Sequence, residues 1–156
     1  MMKKFVFILL VPIFLFPGTG CIKDKGCQAK TVASEEGAML SFAATNGITA
    51  TKHSSGMYYQ IINQGSGPTP TLTSTLSVKY TGKFTNGAIF DQRTTTPVSF
   101  TLSGVIPGWQ LGMPLIQKGG IIKLIIPSSL GYGCSDNGPI PGNSILYFEI
   151  ELIDVL

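Results

Sequence analysis

The stretch VIPGWQLG, Val105 to Gly112, contains the only tryptophan of the 156-residue chain, two residues after a proline and one after a glycine. A run this apolar ordinarily disappears into a core. Pro107, however, suits the first turn of a helix, where its missing N–H leaves no bond unmade. Val105 and Ile106 therefore stand at the mouth of a helix, with Trp109 in its first turn. The pattern predicts a helix from Pro107 to Ile116, closed by Lys118-Gly119-Gly120, a cation followed by glycine.

Strand signals surround this helix. On its C-terminal side IIKLII (Ile121 to Ile126) is a β run, and a glycine-rich loop spans about Leu130 to Asn143. Ile145 to Ile153 then closes as a strand, with Leu146, Phe148, Ile150 and Leu152 alternating against Tyr147, Glu149 and Glu151. On its N-terminal side, Thr75 to Phe84 alternates Leu76, Val78 and Tyr80 against Ser77, Lys79 and Thr81. Asn86-Gly87 is a hairpin turn that returns the chain through Ala88 to Asp91, and Val98 to Leu102 is a short strand. Further upstream, MYYQIIN (Met57 to Asn63) reads as a strand and GSGPTP as a linker turn. A helix is expected from about 35 to 45, capped by Ser34, favoured by Glu35 and Glu36 and stopped by Asn46-Gly47. Met39, Leu40, Phe42 and Ala43 form its modest apolar stripe, suited to covering an edge of the main domain. One short helix against about five antiparallel strands is an α+β arrangement, with one sheet face covered and the other wet.

Composition agrees with a turn-rich, β-leaning chain: charged residues are 12%, with 19 glycines and 10 prolines. The net charge of +3 misleads, because MMKK followed by FVFILLVPIFLF is a basic n-region and an apolar h-region of a secretory signal. Without Lys3 and Lys4 the body carries nine Lys/Arg against eight Asp/Glu, which gives no electrostatic case for nucleic acid. The apolar run falls short of the ~20 residues of a membrane-spanning helix. The following GTGC resembles a bacterial lipoprotein signal, in which small residues lead to a cysteine that is lipidated and becomes residue one, here Cys21. Gly18 stands where that family prefers a larger aliphatic residue, so ordinary secretion is the alternative.

Most catalytic equipment is missing. The single His53 lies in the polar stretch TKHSSG, outside any triad pattern, and reads as a solvated surface residue. There is no CxxC or HExxH and no carboxylate cluster to suggest a metal, and no phosphate-cradling loop. Asp91, directly after Phe90 at the end of a hairpin strand, reads on its own as a carboxylate accepting turn N–H groups. Aromatics gather instead near the ends of elements: Tyr80, Phe90, Phe100, Trp109, Tyr132 and Phe148. All six could be core. Yet Tyr and Trp need partners for their polar tips, which makes them natural walls of a half-open apolar pocket. Such a cleft suits a peptide side chain, and proline is a strong candidate.

In order, VKYTGKFTNGAIFDQ, VIPGWQLGMPLIQKGG, IIKLIIPSSLGYG and IPGNSILYFEIEL resemble the successive motifs of the FKBP-type peptidyl-prolyl isomerases, from about Leu72 to the C-terminus. The resemblance implies an FKBP-like twisted antiparallel sheet wrapped around one short helix, with an N-terminal helical extension. It implies isomerisation of X-Pro bonds without a cofactor, proline-containing polypeptide clients and macrolide-type inhibitors as ligands. The catalytic positions it implies are Tyr80 and Phe90 as walls, Asp91 as a polar anchor rather than a general base, and the Ile106 N–H as donor to the substrate carbonyl. Trp109 would be the floor and Tyr132 would supply a hydroxyl. Val98, Val105, Ile140 and Phe148 would line the substrate pocket. Some positions depart from the family pattern. The loop after Asp91 is short (QRTTT), so Arg93 comes too early for the arginine often found there. Val98 stands at an aromatic position, Gly131 at the usual alanine and Gly142 at a usual proline. A non-catalytic binding or chaperone module tethered to the envelope is the alternative, and a scaffold with a vestigial pocket a third reading.

The expected organisation is a signal peptide over 1–20, a tether and extension over 21–70, and the isomerase domain over 71–156. The protein is expected in the cell envelope, either as a periplasmic or outer-membrane lipoprotein held by a lipid on Cys21 or as a protein secreted to the periplasm. If Cys21 takes lipid, Cys27 and Cys134 remain, and an oxidising compartment would pair them; two unrelated thiols are the alternative.

Overall fold

The computed structural model describes residues 26–156, so the expected signal segment 1–20 and the lipidation candidate Cys21 lie outside the described residues. In chain order the elements are α1 (Val32–Thr45), β1 (Thr51–Lys52), β2 (Tyr58–Asn63), β3 (Thr75–Phe84), β4 (Ile89–Thr101), α2 (Pro107–Gly112), β5 (Ile121–Ile126) and β6 (Leu146–Val155). The strands make one antiparallel sheet in the order β1-β2-β5-β6-β3-β4, the expected α+β architecture. It has six strands rather than about five, the addition being the two-residue β1. Both β1 and β2 come from the segment 21–70 that the sequence assigns to tether and extension, yet they hydrogen-bond into the same sheet.

Three differences from the sequence reading have a local physical cause. Thr31, not Ser34, caps α1: its Oγ1 accepts the Ser34 N–H at 3.2 Å, and the helix begins at Val32. The helix Pro107–Ile116 is shorter than expected, since α2 ends at Gly112 and Met113–Leu115 tightens into a 3₁₀ turn. Pro114 is the cause, because it has no N–H for the i→i−4 bond and its ring crowds the carbonyl one turn back. The third difference is β4, which is one strand and not a short return, a loop and a second strand. Val98 pairs with Val78 and Arg93 with Tyr80, so Thr94 to Pro97 bulge out opposite the single Lys79. Because β4 is the sheet edge, Pro97 leaves no ladder bond unmade.

The alternation in β6 puts Leu146, Phe148, Ile150 and Leu152 against α2, all at most 4% exposed, while Glu149 and Glu151 are exposed. The opposite face is not simply wet. Tyr58, Ile125 and Tyr147 are buried there with Met39, Phe42 and Ala43 of α1 and with Ile48. The first helix thus covers a face of the sheet and not merely an edge, and Leu40 of its expected stripe is exposed. Each large side chain so buried is worth about 1.5–3 kcal/mol. Glu36 fixes the helix on that face, accepting from the Tyr58 hydroxyl at 2.6 Å and pairing with Lys52 at 2.5 Å.

The segment ahead of α1, read as a tether with a Cys27–Cys134 pairing, is held at several points. Cys27 is joined to Cys134 by a disulfide, with Cα atoms 5.5 Å apart. The Lys30 N–H donates to Asn143 Oδ1 at 3.1 Å, and Asn143 Nδ2 donates to the Gln28 carbonyl at 2.9 Å.

Candidate active site

Ile106 caps α2 from outside the helix, at φ −58° and ψ 147°, and Pro107 occupies the first turn. Trp109 is thereby turned into the sheet and is only 4% exposed. Its ring meets Tyr80 and Phe148 edge-on, at centroid distances of 5.3 and 5.2 Å, and Phe100 at 5.4 Å. Above it opens a cavity of about 490 Å³. Tyr80, Phe90, Asp91, Val98, Val105, Ile106, Trp109, Tyr132, Ile140 and Phe148, the ten positions singled out for catalysis or substrate binding, all line it.

The polar groups of this cavity are few. No described residue accepts from the Ile106 N–H. Asp91 does not accept turn N–H groups. It accepts from the Tyr80 hydroxyl and pairs with Arg93, whose Nη1 lies 3.2 Å from Oδ1. Burial and then the bond to Asp91 push the Tyr80 hydroxyl up to about 12. Tyr132, 39% exposed on the rim, is pushed up by burial and by the Asp91 charge. His53 lies elsewhere. It is half-buried rather than solvated, its Nδ1 accepting from the Ser55 N–H at 3.1 Å. The site is an apolar box with an anchored carboxylate, the Tyr132 hydroxyl at its mouth and two N–H groups that have no acceptor among the described residues, those of the Ile106 backbone and the buried Trp109 indole.

A family model described as "FKBP-type peptidyl-prolyl cis-trans isomerase" matches residues 67–153. The chain belongs to that family. It is 44% identical over 116 residues to the FKBP-type isomerase FkpA of Escherichia coli, covering 73% of this chain and 42% of that protein. A probable FKBP-type isomerase of Haemophilus influenzae is 41% identical over 136 residues, covering 85% of this chain and 56% of the relative. The chain therefore spans about half the length of the curated relatives it matches. Among solved structures, the crystal structure of Escherichia coli FkpA superposes with TM-score 0.72 at 42% identity, covering 79% of this chain and 58% of that one. A peptidyl-prolyl isomerase of Pseudomonas syringae gives TM-score 0.67 at 31% identity, covering 82% of this chain and 98% of that one.

Within this FKBP-type pocket several residues escaped the sequence reading. Arg93, set aside as too early, reaches Asp91 because strand alternation puts residues two apart on one face of β4. That i,i+2 spacing was the available signal. Phe100 stood among the aromatics but was not assigned to the pocket, and it flanks the indole. Asn137 to Pro139 close the loop side, which no local pattern could announce.

Two glycines are explained by close approach. A Cβ on Gly142 would lie 2.0 Å from the Cys134 carbonyl oxygen, and the Gly142 N–H donates to Asp136 at 2.8 Å. Proline, the usual residue there, would clash with the one and could not make the other. Gly82 faces the pocket wall, where a Cβ would meet the rings of Phe90 at 2.7 Å and Phe148 at 2.9 Å. Gly82→Ala is expected to push these rings into the cavity and weaken proline-peptide affinity by about tenfold, the equivalent of ~1.4 kcal/mol. Titration of the folded variant with unchanged affinity would count against this wall.

Proposed function

We propose that this chain catalyses cis–trans isomerisation of X-Pro bonds in exported polypeptides. The observation that carries the reading is the unpartnered Ile106 N–H at the mouth of an aromatic pocket floored by Trp109. Planar amides resist rotation by ~18–20 kcal/mol because resonance makes the C–N bond partly double, and X-Pro bonds exchange in tens to hundreds of seconds. The twisted transition state loses that resonance, and its carbonyl oxygen is less negative. Water stabilises the planar amide well, whereas an apolar box gives up little on twisting, so the pocket binds the transition state better than the substrate. A proline ring seated on Trp109 and a carbonyl held by the Ile106 N–H would restrict rotation to the productive arc. Tyr80, held by Asp91, would keep the wall rigid, and Tyr132 would contribute its hydroxyl from the rim.

The assay is protease-coupled turnover of an X-Pro peptide by the exported form. Acceleration supports the isomerase. A folded protein that binds proline peptides without accelerating them would instead be a binding or chaperone module. No proton changes hands in this mechanism, and Tyr80 at about 12 stays protonated through the neutral range. Activity is therefore expected to be flat from about pH 6 to 9, and a bell-shaped curve there would overturn the mechanism. Stability carries the opposite signature. The folded value lies above the ~10 of an exposed tyrosine, so Tyr80's contribution is complete below about pH 10 and is lost as pH rises through about 12.

The remaining parts of the reading concern place and partners. The signal-like N-terminus and GTGC support export and a lipid on Cys21, placing the protein in the cell envelope, with secretion to the periplasm as the outcome if Cys21 stays unmodified. The pocket's size and aromatic lining suit macrolide-type inhibitors as well as clients. The Cys27–Cys134 bond fits an oxidising compartment.

A further inference from the structure

The first helix carries one residue that its covering role does not explain. Met39, Phe42 and Ala43 bury the sheet face, but Glu35, 2% exposed, brings a carboxyl into the interior. Burying such a group costs stability unless it is bonded, and a helix that only covered apolar surface would be better served by an apolar side chain. Glu35 Oε2 accepts the backbone N–H of Ser128 at 2.8 Å, a buried bond spanning 93 residues of sequence. Oε1 has no hydrogen-bond partner among the described residues.

Ser128 opens the short 3₁₀ turn Ser128–Leu130 that leads to the pocket tyrosine. Its carbonyl accepts both the Gly131 N–H at 3.0 Å and the Gly133 N–H at 2.8 Å, the two residues that flank Tyr132. Gly133, at φ 74°, in turn accepts from the Asn143 N–H at 2.8 Å, where the loop returns to β6. Ser128 is thus held on its N–H side by α1 and holds the Tyr132 turn on its carbonyl side.

We propose that Glu35 is a positioning residue for the active site: through Ser128 it fixes the turn that presents Tyr132 at the pocket rim. The N-terminal helix then belongs to the catalytic unit. The kinetic part of this rests on the isomerase reading, whereas the structural part does not.

The test keeps the extension in place and compares Glu35→Leu, which removes the acceptor, with Glu35→Gln, which retains one. Met39→Ala is the control, loosening the same helix without touching Ser128. NMR-detected amide exchange at Gly131 and Gly133 is read first, and is expected to rise about tenfold in Glu35→Leu and to stay near wild type in the other two. On an X-Pro peptide, kcat/KM is expected to fall about fivefold in Glu35→Leu, to recover in Glu35→Gln, and to be unaffected by Met39→Ala despite a lower melting temperature. In a Tyr132→Phe background the same Glu35→Leu change is expected to cost less than about twofold. If Glu35→Leu does not fold, Glu35→Asp replaces it: its carboxylate, one methylene shorter, withdraws from Ser128, and the same rise in exchange is expected. Unchanged exchange at the two glycines in a folded variant overturns the proposal, as does a kinetic loss undiminished by Tyr132→Phe. A wild type without isomerase activity sinks the functional reading alone, and the exchange measurement still decides the role of Glu35.

Discussion

Trp109→Leu is expected to remove most affinity for proline-containing peptides while the protein still folds. The indole is 4% exposed, and three aromatic rings contact it at 5.2 to 5.4 Å. Aromatic pairs of this kind are worth about 0.5–1.5 kcal/mol each beyond their buried area, and leucine keeps none of them. Truncation to alanine adds a void between α2 and the sheet and is expected to cost ~3–5 kcal/mol of stability, which confounds a binding experiment. Leucine fills part of that volume and is the cleaner substitution. Losing two such contacts with a bound ring lowers affinity by roughly one to two orders of magnitude, at ~1.4 kcal/mol per factor of ten. The measurement is peptide titration by NMR with circular dichroism to verify the fold. A folded Trp109→Leu protein that binds as tightly as wild type would move the binding site elsewhere.

Replacing Cys27 and Cys134 together by serine is expected to lower stability by up to ~4.7 kcal/mol, the chain-entropy value for a closed loop of about a hundred residues. The bond spans 107 residues, so it restrains nearly the whole described chain when unfolded. Strain and residual structure make measured values smaller, and a loss of ~2 kcal/mol would still be decisive in a denaturant melt. The same double variant should make the loop between Leu130 and Asn143 more sensitive to limited proteolysis, because the N-terminal segment would then hold it by hydrogen bonds such as those to Asn143 and no longer by a covalent bond. Mass spectrometry of the unreduced mature protein tests the premise directly. Two free thiols there would overturn it, and the clamp would then consist of hydrogen bonds only.

The pocket itself was largely legible because its residues sit in short local motifs. Strand alternation and a proline-started helix place Tyr80 in KYTG, Asp91 in IFD and Trp109 in IPGW along the chain, the family resemblance supplied their pocket roles, and the ten positions it implies surround one cavity. What was not legible was how the carboxylate is held. Asp91 reads as a turn acceptor when only its neighbours are considered. In the sheet it takes the Tyr80 hydroxyl, eleven residues earlier, and the Arg93 guanidinium two residues on along the same face of β4. The expected break between Asp91 and Val98 was a misreading of the bulge in β4: Thr94 to Pro97 lack alternation, but an edge strand tolerates them.

The amino-acid order by itself determined the elements whose signals lie within a few residues. Period-two alternation set β3 and β6, Asn86-Gly87 set the hairpin, and Pro107 started the helix that holds the indole, because each depends on backbone dihedrals and on side chains one turn or one strand apart. Only the tertiary structure decided what the N-terminal segment does. Its helix covers the second face of the sheet, its Gln28 and Lys30 backbone groups bond to Asn143, and its Glu35 bonds to Ser128, 93 residues away. These are contacts between surfaces that local periodicity describes only as apolar or polar. Which surface meets which is settled by burying both faces of one twisted sheet at once, and that sum is taken over the folded chain.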